Sequence, residues 1–285
     1  MIPGSSAEMR WRVHRLNLTG MTWGEPTAKP LLCLHGWFDN AASFAMLAPL
    51  LEGHYVVAPD LTGHGQSDRR SADATYQIWD DLPEVLGIVE TMGWDQFDLV
   101  GHSRGAVIGS LFAASFPERV RHLVMLDAVG PEPVPEEKFP QQMRSFLDDK
   151  GRLLERDNRV FPSLEEAARV REEGGLCPTA ARVLAQRSLR SCEGGFTWTT
   201  DPRLRGASAV KLTRGQVDAV LGALEMPTLL MLAEEGHGGR YKQMESLARE
   251  SIPGIELEYF HGGHQFHMEP GVEQLAGRLL EFLNT

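Results

Sequence analysis

Three short motifs in this chain bring together residue types that acyl chemistry needs. Gly101-His102-Ser103-Arg104-Gly105 is a GxSxG pentapeptide. It follows the apolar run Phe97 to Val100 and precedes a segment rich in Gly105, Ala106, Gly109, Ala113 and Ala114. A sharp strand-to-helix turn of this kind leaves a serine Oγ exposed near a helix N-terminus. The flanking glycines leave space where a Cβ would meet neighbouring backbone. Leu34-His35-Gly36-Trp37 closes an earlier apolar run. A tetrahedral intermediate requires two preorganised N–H donors aimed at its oxyanion. The backbone of Arg104 is the expected first donor and that of Trp37 the second; the Trp37 ring can serve packing at the same time. Gly262-Gly263-His264 follows the last apolar run. His264 precedes the final helical pattern and is the expected general base. His261 and His267 compete with it, the first reading as a strand-end residue and the second as a pocket residue or a helix cap.

The elements that must hold these residues are readable from hydrophobic periodicity. Arg10 to Leu18 alternates polar and apolar, as a half-buried strand does. Compact apolar runs follow at Leu31–Leu34, Tyr55–Ala58, Phe97–Val100 and Leu123–Leu126, with helical patterns at about 41–51, 75–92 and 105–116 between them. Strands separated by helices predict a parallel sheet covered on both faces. From about Gly130 to Glu225 the alternation stops. Pro131, Pro133 and Pro135 make a stiff exit. Ser163 with Glu166, and Thr213 with Gln216, fit helix capping boxes, and Gly174 fits a helix stop. This stretch reads as a mostly helical insertion. Alternation resumes with a strand at Thr228–Ala233, a helix near Arg240–Glu250, a strand at Ile255–Phe260 and a last helix at about Gly271–Leu283.

Composition excludes some partners. The 285 residues carry a formal charge of −11, which repels phosphate backbones and argues against nucleic acid. Cys33, Cys177 and Cys192 form no CxxC pair and are odd in number, so neither a disulfide framework nor a zinc site is expected. No apolar run approaches the roughly 18–20 residues needed to cross a bilayer, and the first residues show no basic-then-apolar leader. A cytoplasmic protein without membrane association, and without a metal or organic cofactor, is the expectation; oligomeric state is not legible.

HGWFDNAASF, DLTGHGQS, GHSRG and GGH together resemble the α/β-hydrolase fold superfamily, over nearly the whole chain except the insertion. More narrowly, the sequence resembles the serine hydrolase-like proteins, for which HGW-x-DN-AxSF and GHS-x-G are typical. The resemblance implies an α/β fold with a mostly parallel eight-stranded sheet. A helical cap would be inserted after the sixth strand, giving a core of residues 1–130 and 226–285 and a cap of 131–225. Ser103, His264 and the backbone of Trp37 and Arg104 carry over by motif. Asp60 and His64-Gly65 match a loop-bracing segment. The triad acid departs from the common pattern. Where many relatives place an aspartate after the strand equivalent to Leu229–Ala233, this chain reads Glu234-Glu235-Gly236-His237-Gly238, with Gly236 at the usual position. The alternative position lies at the end of the sixth strand, where Asp127 stands. Asp127 is the preferred acid, with Glu234 or Glu235 as the alternative.

The expected reaction is hydrolysis of a carboxylic ester or related acyl compound through an acyl-enzyme. The same triad can serve C–C bond hydrolysis or a cofactor-free lyase reaction, and a ligand-binding protein with little turnover is the third reading. Trp37, Phe38 and Trp198 are the candidate substrate contacts. Arg182, Arg187, Arg190, Arg203, Arg205, Lys211 and Arg214 make the insertion rich in cations, either facing an acidic substrate or solvated among Glu165, Glu166, Glu172 and Glu173.

Overall fold

A computed structural model describes residues 6–236 and 241–285. His237, Gly238 and Arg240, each part of a segment read above, lie outside the described residues. Eight strands form one sheet in the order β1-β2-β4-β3-β5-β6-β10-β11, with β1 Ala7–Val13, β2 Leu16–Trp23, β3 Lys29–Leu34, β4 His54–Pro59, β5 Phe97–His102, β6 Val120–Leu126, β10 Thr228–Ala233 and β11 Glu256–Phe260. The sheet is mixed: β2 runs antiparallel to both β1 and β4, and the pairs from β4 through β11 are parallel.

The central strands alternate their side chains between two apolar layers, as a period of two demands. Leu31 and Cys33 of β3 face one layer, Leu32 and Leu34 the other. In β10, Leu229, Met231 and Ala233 face the first, Leu230 and Leu232 the second. Helix α8 (Val272–Leu283) covers the first layer with Leu275, Leu279 and Phe282. Helices α1 (Leu82–Thr91), α2 (Arg104–Ser115), α6 (Arg214–Gly222) and α7 (Tyr241–Ser251) cover the second. Burial on both faces explains why these strands read as continuous apolar runs.

Two readings from periodicity change. The alternation over Arg10–Leu18 spans a hairpin, with β1 and β2 meeting at a two-residue turn where His14 has φ 52°. The turn lacks the Asn-Gly or Asp-Gly pair that signals such loops, so one strand was read for two. The helix expected at 41–51 is two short 3-10 turns, Ala41–Phe44 and Ala48–Leu50, with Pro49 limiting the second.

Between β6 and β10 the chain forms α3 (Phe139–Leu154), α4 (Leu164–Glu173), α5 (Pro178–Ser188) and α6, together with a three-stranded sheet ordered β7-β9-β8 (Val160–Phe161, Gly195–Trp198, Leu189–Cys192). This small antiparallel sheet has no counterpart in the helical reading, because strands of two to four residues are too short to show a period. The caps at Ser163 and Thr213 form, with Ser163 Oγ accepting the Glu166 N–H at 3.2 Å and Gln216 Oε1 accepting the Thr213 N–H at 2.9 Å. No helix among the described residues is long and apolar enough to cross a membrane.

Topology decides where chemistry is possible. Because β3, β5, β6, β10 and β11 run the same way, the loops leaving their C-terminal ends all emerge at one edge of the sheet. Those loops carry Trp37, Ser103, Asp127, Gly236 and His264.

Candidate active site

Ser103 stands between β5 and α2 with φ 50° and ψ −116°, a backbone conformation costly for a residue with a Cβ. Neighbouring backbone holds it there. The Ser103 N–H donates to Leu126 O at 2.9 Å, and its carbonyl accepts from Ala106 and Val107. The two glycines of the pentapeptide are sterically required: a Cβ on Gly101 would lie 2.4 Å from Gly105 O, and one on Gly105 would lie 1.9 Å from Leu34 O.

Asp127 caps β6, fully buried, with φ 52°. Its Oδ1 accepts the Ala233 N–H at 3.0 Å and its Oδ2 lies 2.5 Å from His264 Nδ1. A carboxylate only accepts, so Nδ1 carries the hydrogen and Nε2 is left as the basic nitrogen. Neither glutamate takes this place. Glu234 faces the exposed His261, 3.3 Å from its Nδ1, and Glu235 is exposed with its N–H on Gly262 O. At Gly236 a Cβ would sit 2.5 Å from Asp127 Oδ2. The position where the resemblance leads one to expect an aspartate is thus closed by the carboxylate arriving from β6.

His264 is placed through its main chain. His102, directly before Ser103, donates from Nε2 to His264 O at 2.8 Å, and their rings lie 4.6 Å apart. Burial, followed by the neighbouring His264, brings the His102 pKa down to about 3, so it stays neutral. His267 stacks on its other side at 4.2 Å and bonds Ser43 Oγ through Nε2 at 2.7 Å, a buried structural role.

The loop after β3 presents the backbone at Trp37. His35 lies beneath it: Nδ1 donates to Gly36 O at 2.8 Å and Nε2 accepts the Leu61 N–H at 2.9 Å, tying this loop to the one after β4. Arg104 is the first residue of α2, so its N–H has no partner within the helix. Its guanidinium turns away to Asp81 at 2.5 Å.

Asp39 was not singled out from sequence, yet it links the loop after β3 to Arg171 and Gln265. Its Oδ1 receives Arg171 Nη2 at 2.6 Å and its Oδ2 receives Gln265 Nε2 at 3.0 Å, with His102 Nδ1 at 3.8 Å. Burial pushes the Asp39 pKa up, but Arg171, His102 and Gln265 outweigh it, and the carboxyl is held below its usual value. Arg171 also donates from Nη1 to Phe38 O at 2.9 Å. Asp39-Asn40 within the motif after His35-Gly36 was the available signal; Arg171 had none. Among the described residues no group of His, Cys, Asp and Glu is arranged to hold a metal ion.

The alpha/beta hydrolase fold family matches residues 29–270 of the chain. The chain belongs to that family. It is 32% identical to the serine hydrolase-like protein of Danio rerio, over 98% of this chain and 89% of that protein. It is 30% identical to human serine hydrolase-like protein 2, over 99% and 95%. The crystal structure of the hypothetical protein PA1622 from Pseudomonas aeruginosa PAO1 superposes with a TM-score of 0.92 at 36% identity, covering 98% of this chain and 99% of that one. These similarities place the chain with the serine hydrolase-like proteins inside the α/β-hydrolase fold.

In this α/β-hydrolase a cavity of about 310 Å³ lies between the insertion and the loop after β3. Trp37, Phe38 and Trp198 line it, as do Arg171, Arg205 and Gln265, the last next to His264. Trp37 also reaches across, donating from Nε1 to Leu204 O at 3.0 Å. A larger cavity, about 660 Å³, lies toward α7 and is lined by Asp127 and Val107; neither Ser103 nor His264 lines either cavity.

Proposed function

We propose that this chain is a serine hydrolase that cleaves a carboxylic ester or related acyl compound through an acyl-enzyme on Ser103. The observation that carries the reading is the Asp127–His264 bond at 2.5 Å, with His264 O accepting from His102, the residue before a serine whose backbone is held at φ 50°. Ser103 Oγ attacks the acyl carbon while His264 Nε2 takes its proton. Asp127 keeps the imidazole in the Nδ1–H tautomer and stabilises the cation as it forms. The N–H groups of Arg104 and Trp37 receive the oxyanion. His264 then returns the proton to the leaving group, and a water activated by the same imidazole releases the acid.

The insertion acts in this reading as a cap over the core of residues 1–130 and 226–285. Arg171, and Arg187 with Asp60, support that role by fastening α4 and α5 to core loops. Helix α6 closes the cap segment while packing Val217 and Leu221 into the core. Trp37, Phe38 and Trp198 form the wall of the substrate pocket. The test is steady-state hydrolysis of short aryl esters by the wild type and Ser103→Ala. The variant is expected to keep its circular dichroism spectrum and to lose at least about a thousandfold in kcat. A well-folded Ser103→Ala protein that retains most of the activity overturns the assignment.

A further inference from the structure

Two acids, Asp39 and Asp201, and two arginines, Arg171 and Arg205, line the 310 Å³ cavity. Asp39 is matched by Arg171, and Asp201 by Arg203 at 2.7 Å with Tyr76 Oη donating to it at 2.8 Å. Arg205 remains. It meets no carboxylate among the described residues, and its guanidinium instead lies over the Phe38 ring, 4.6 Å from the centroid. Some other arginines of the insertion find acids, Arg182 with Glu165, Arg187 with Asp60 and Glu8, Arg214 with Asp218 and Glu250, while Arg159 lies over the Phe161 ring as Arg205 does over Phe38. Arg205 is exposed, so water solvates its charge where no acid does. A second cation, Arg156, acts on it. Burial and then the Arg156 charge pull the Arg205 pKa down, so the fold tolerates like charges here without an acid between them.

Resting on the Ser103 reading, we propose that this cavity is an anion subsite in which Arg205 receives a carboxylate or phosphate carried by the substrate at a distance from the scissile acyl group. The stack on Phe38 fixes the plane of the guanidinium and leaves its N–H edge for a planar or tetrahedral oxyanion, the geometry to which arginine is suited. Phe38 belongs to the loop that presents the Trp37 N–H, so an anion held there anchors the substrate against the oxyanion loop itself. A volume of 310 Å³ equals that of about ten waters, which fits a short charged chain rather than a long lipid tail.

Two ester pairs test this. Mono-p-nitrophenyl adipate against its neutral methyl ester puts the charge on the acyl side. 4-Phosphonooxybutyl acetate against butyl acetate puts it on the leaving side. In the wild type at least one charged ester should exceed its neutral partner about tenfold or more in kcat/KM, through KM. Arg205→Gln should collapse that ratio and Arg205→Lys should recover part of it. Calorimetric titration with adipate and with phenyl phosphate reads the same subsite without turnover, and Arg205→Gln should weaken the anion that binds about tenfold. Equal handling of charged and neutral esters by the wild type, or a preference that survives Arg205→Gln, overturns the proposal. Fluorophosphonate labelling of Ser103 keeps the two readings apart: labelling without charge preference removes the subsite alone, whereas absent labelling removes the serine mechanism and leaves the titration to decide the subsite.

Discussion

Asp127 and Gly236 compete for one space. A side chain at 236 would collide with Asp127 Oδ2, so the site accommodates one acid, and it arrives from β6. Asp127→Asn should keep the fold but give the imidazole the wrong tautomer, lowering kcat on the order of 10⁴-fold. Glu234→Gln and Glu235→Gln should each change kcat less than about tenfold, since neither side chain faces His264. Gly236→Ala should displace Oδ2 from Nδ1 and lower kcat on the order of 10²-fold, the usual effect of misplacing a catalytic group by about an ångström. Steady-state kinetics on the four variants decides; a fully active Asp127→Asn protein removes Asp127 from the chemistry. The proposed nucleophile and base positions were legible because GxSxG and GGH encode local backbone demands. The acid was not fixed, because its partner stands 137 residues away and only the fold shows which strand end reaches it.

Helix α4 reaches the loop after β3 through the Arg171 guanidinium. Arg171 touches Phe38 O and Asp39, and Asp39 in turn holds Gln265 beside His264. Removing one member of a buried pair leaves the other charged and unpaired, which costs about 3–5 kcal/mol. Arg171→Met should therefore lower stability by that order and reduce kcat as the oxyanion loop loosens. Asp39→Asn added to Arg171→Met should restore part of the stability, because it removes the stranded charge. Urea unfolding of the single and double variants measures this; a double variant no more stable than Arg171→Met would show that the charge pair is not what holds α4. The sequence showed α4 through its cap, Ser163 to Gly174, but not what α4 touches, because one of two arginines on an acidic helix looks like any solvated residue. The strands of the main sheet were legible from their apolar runs. The hairpin turn at His14 and the small sheet of the insertion were not, the first for want of turn residues and the second for want of length.

Among the described residues five histidines are buried: His35, His54, His64, His102 and His267. Burial lowers the pKa of each, to about 3 for His102, so the folded chain holds them neutral. The unfolded chain protonates them near the ordinary imidazole value of about 6.5. Above that value they contribute no pH dependence. Below it the unfolded state binds protons the folded state refuses, and stability falls by up to about 1.4 kcal/mol per pH unit for each. Glu84 and Asp81 act in the opposite sense. Burial raises both, Glu84 to about 7, so the folded chain gains their protons first as pH falls. Five groups outweigh two, and the urea midpoint should drop between pH 7.5 and pH 5; a midpoint that rises would contradict the neutral burial of these rings. The central claim is that Ser103 is the nucleophile and His264 its base, and covalent labelling tests it most directly. After reaction with a fluorophosphonate, intact mass should increase by one adduct, and peptide mapping should place it on Ser103. The adduct should be absent in Ser103→Ala and form far more slowly in His264→Ala. An adduct on another residue, or an unchanged rate in His264→Ala, would contradict the account.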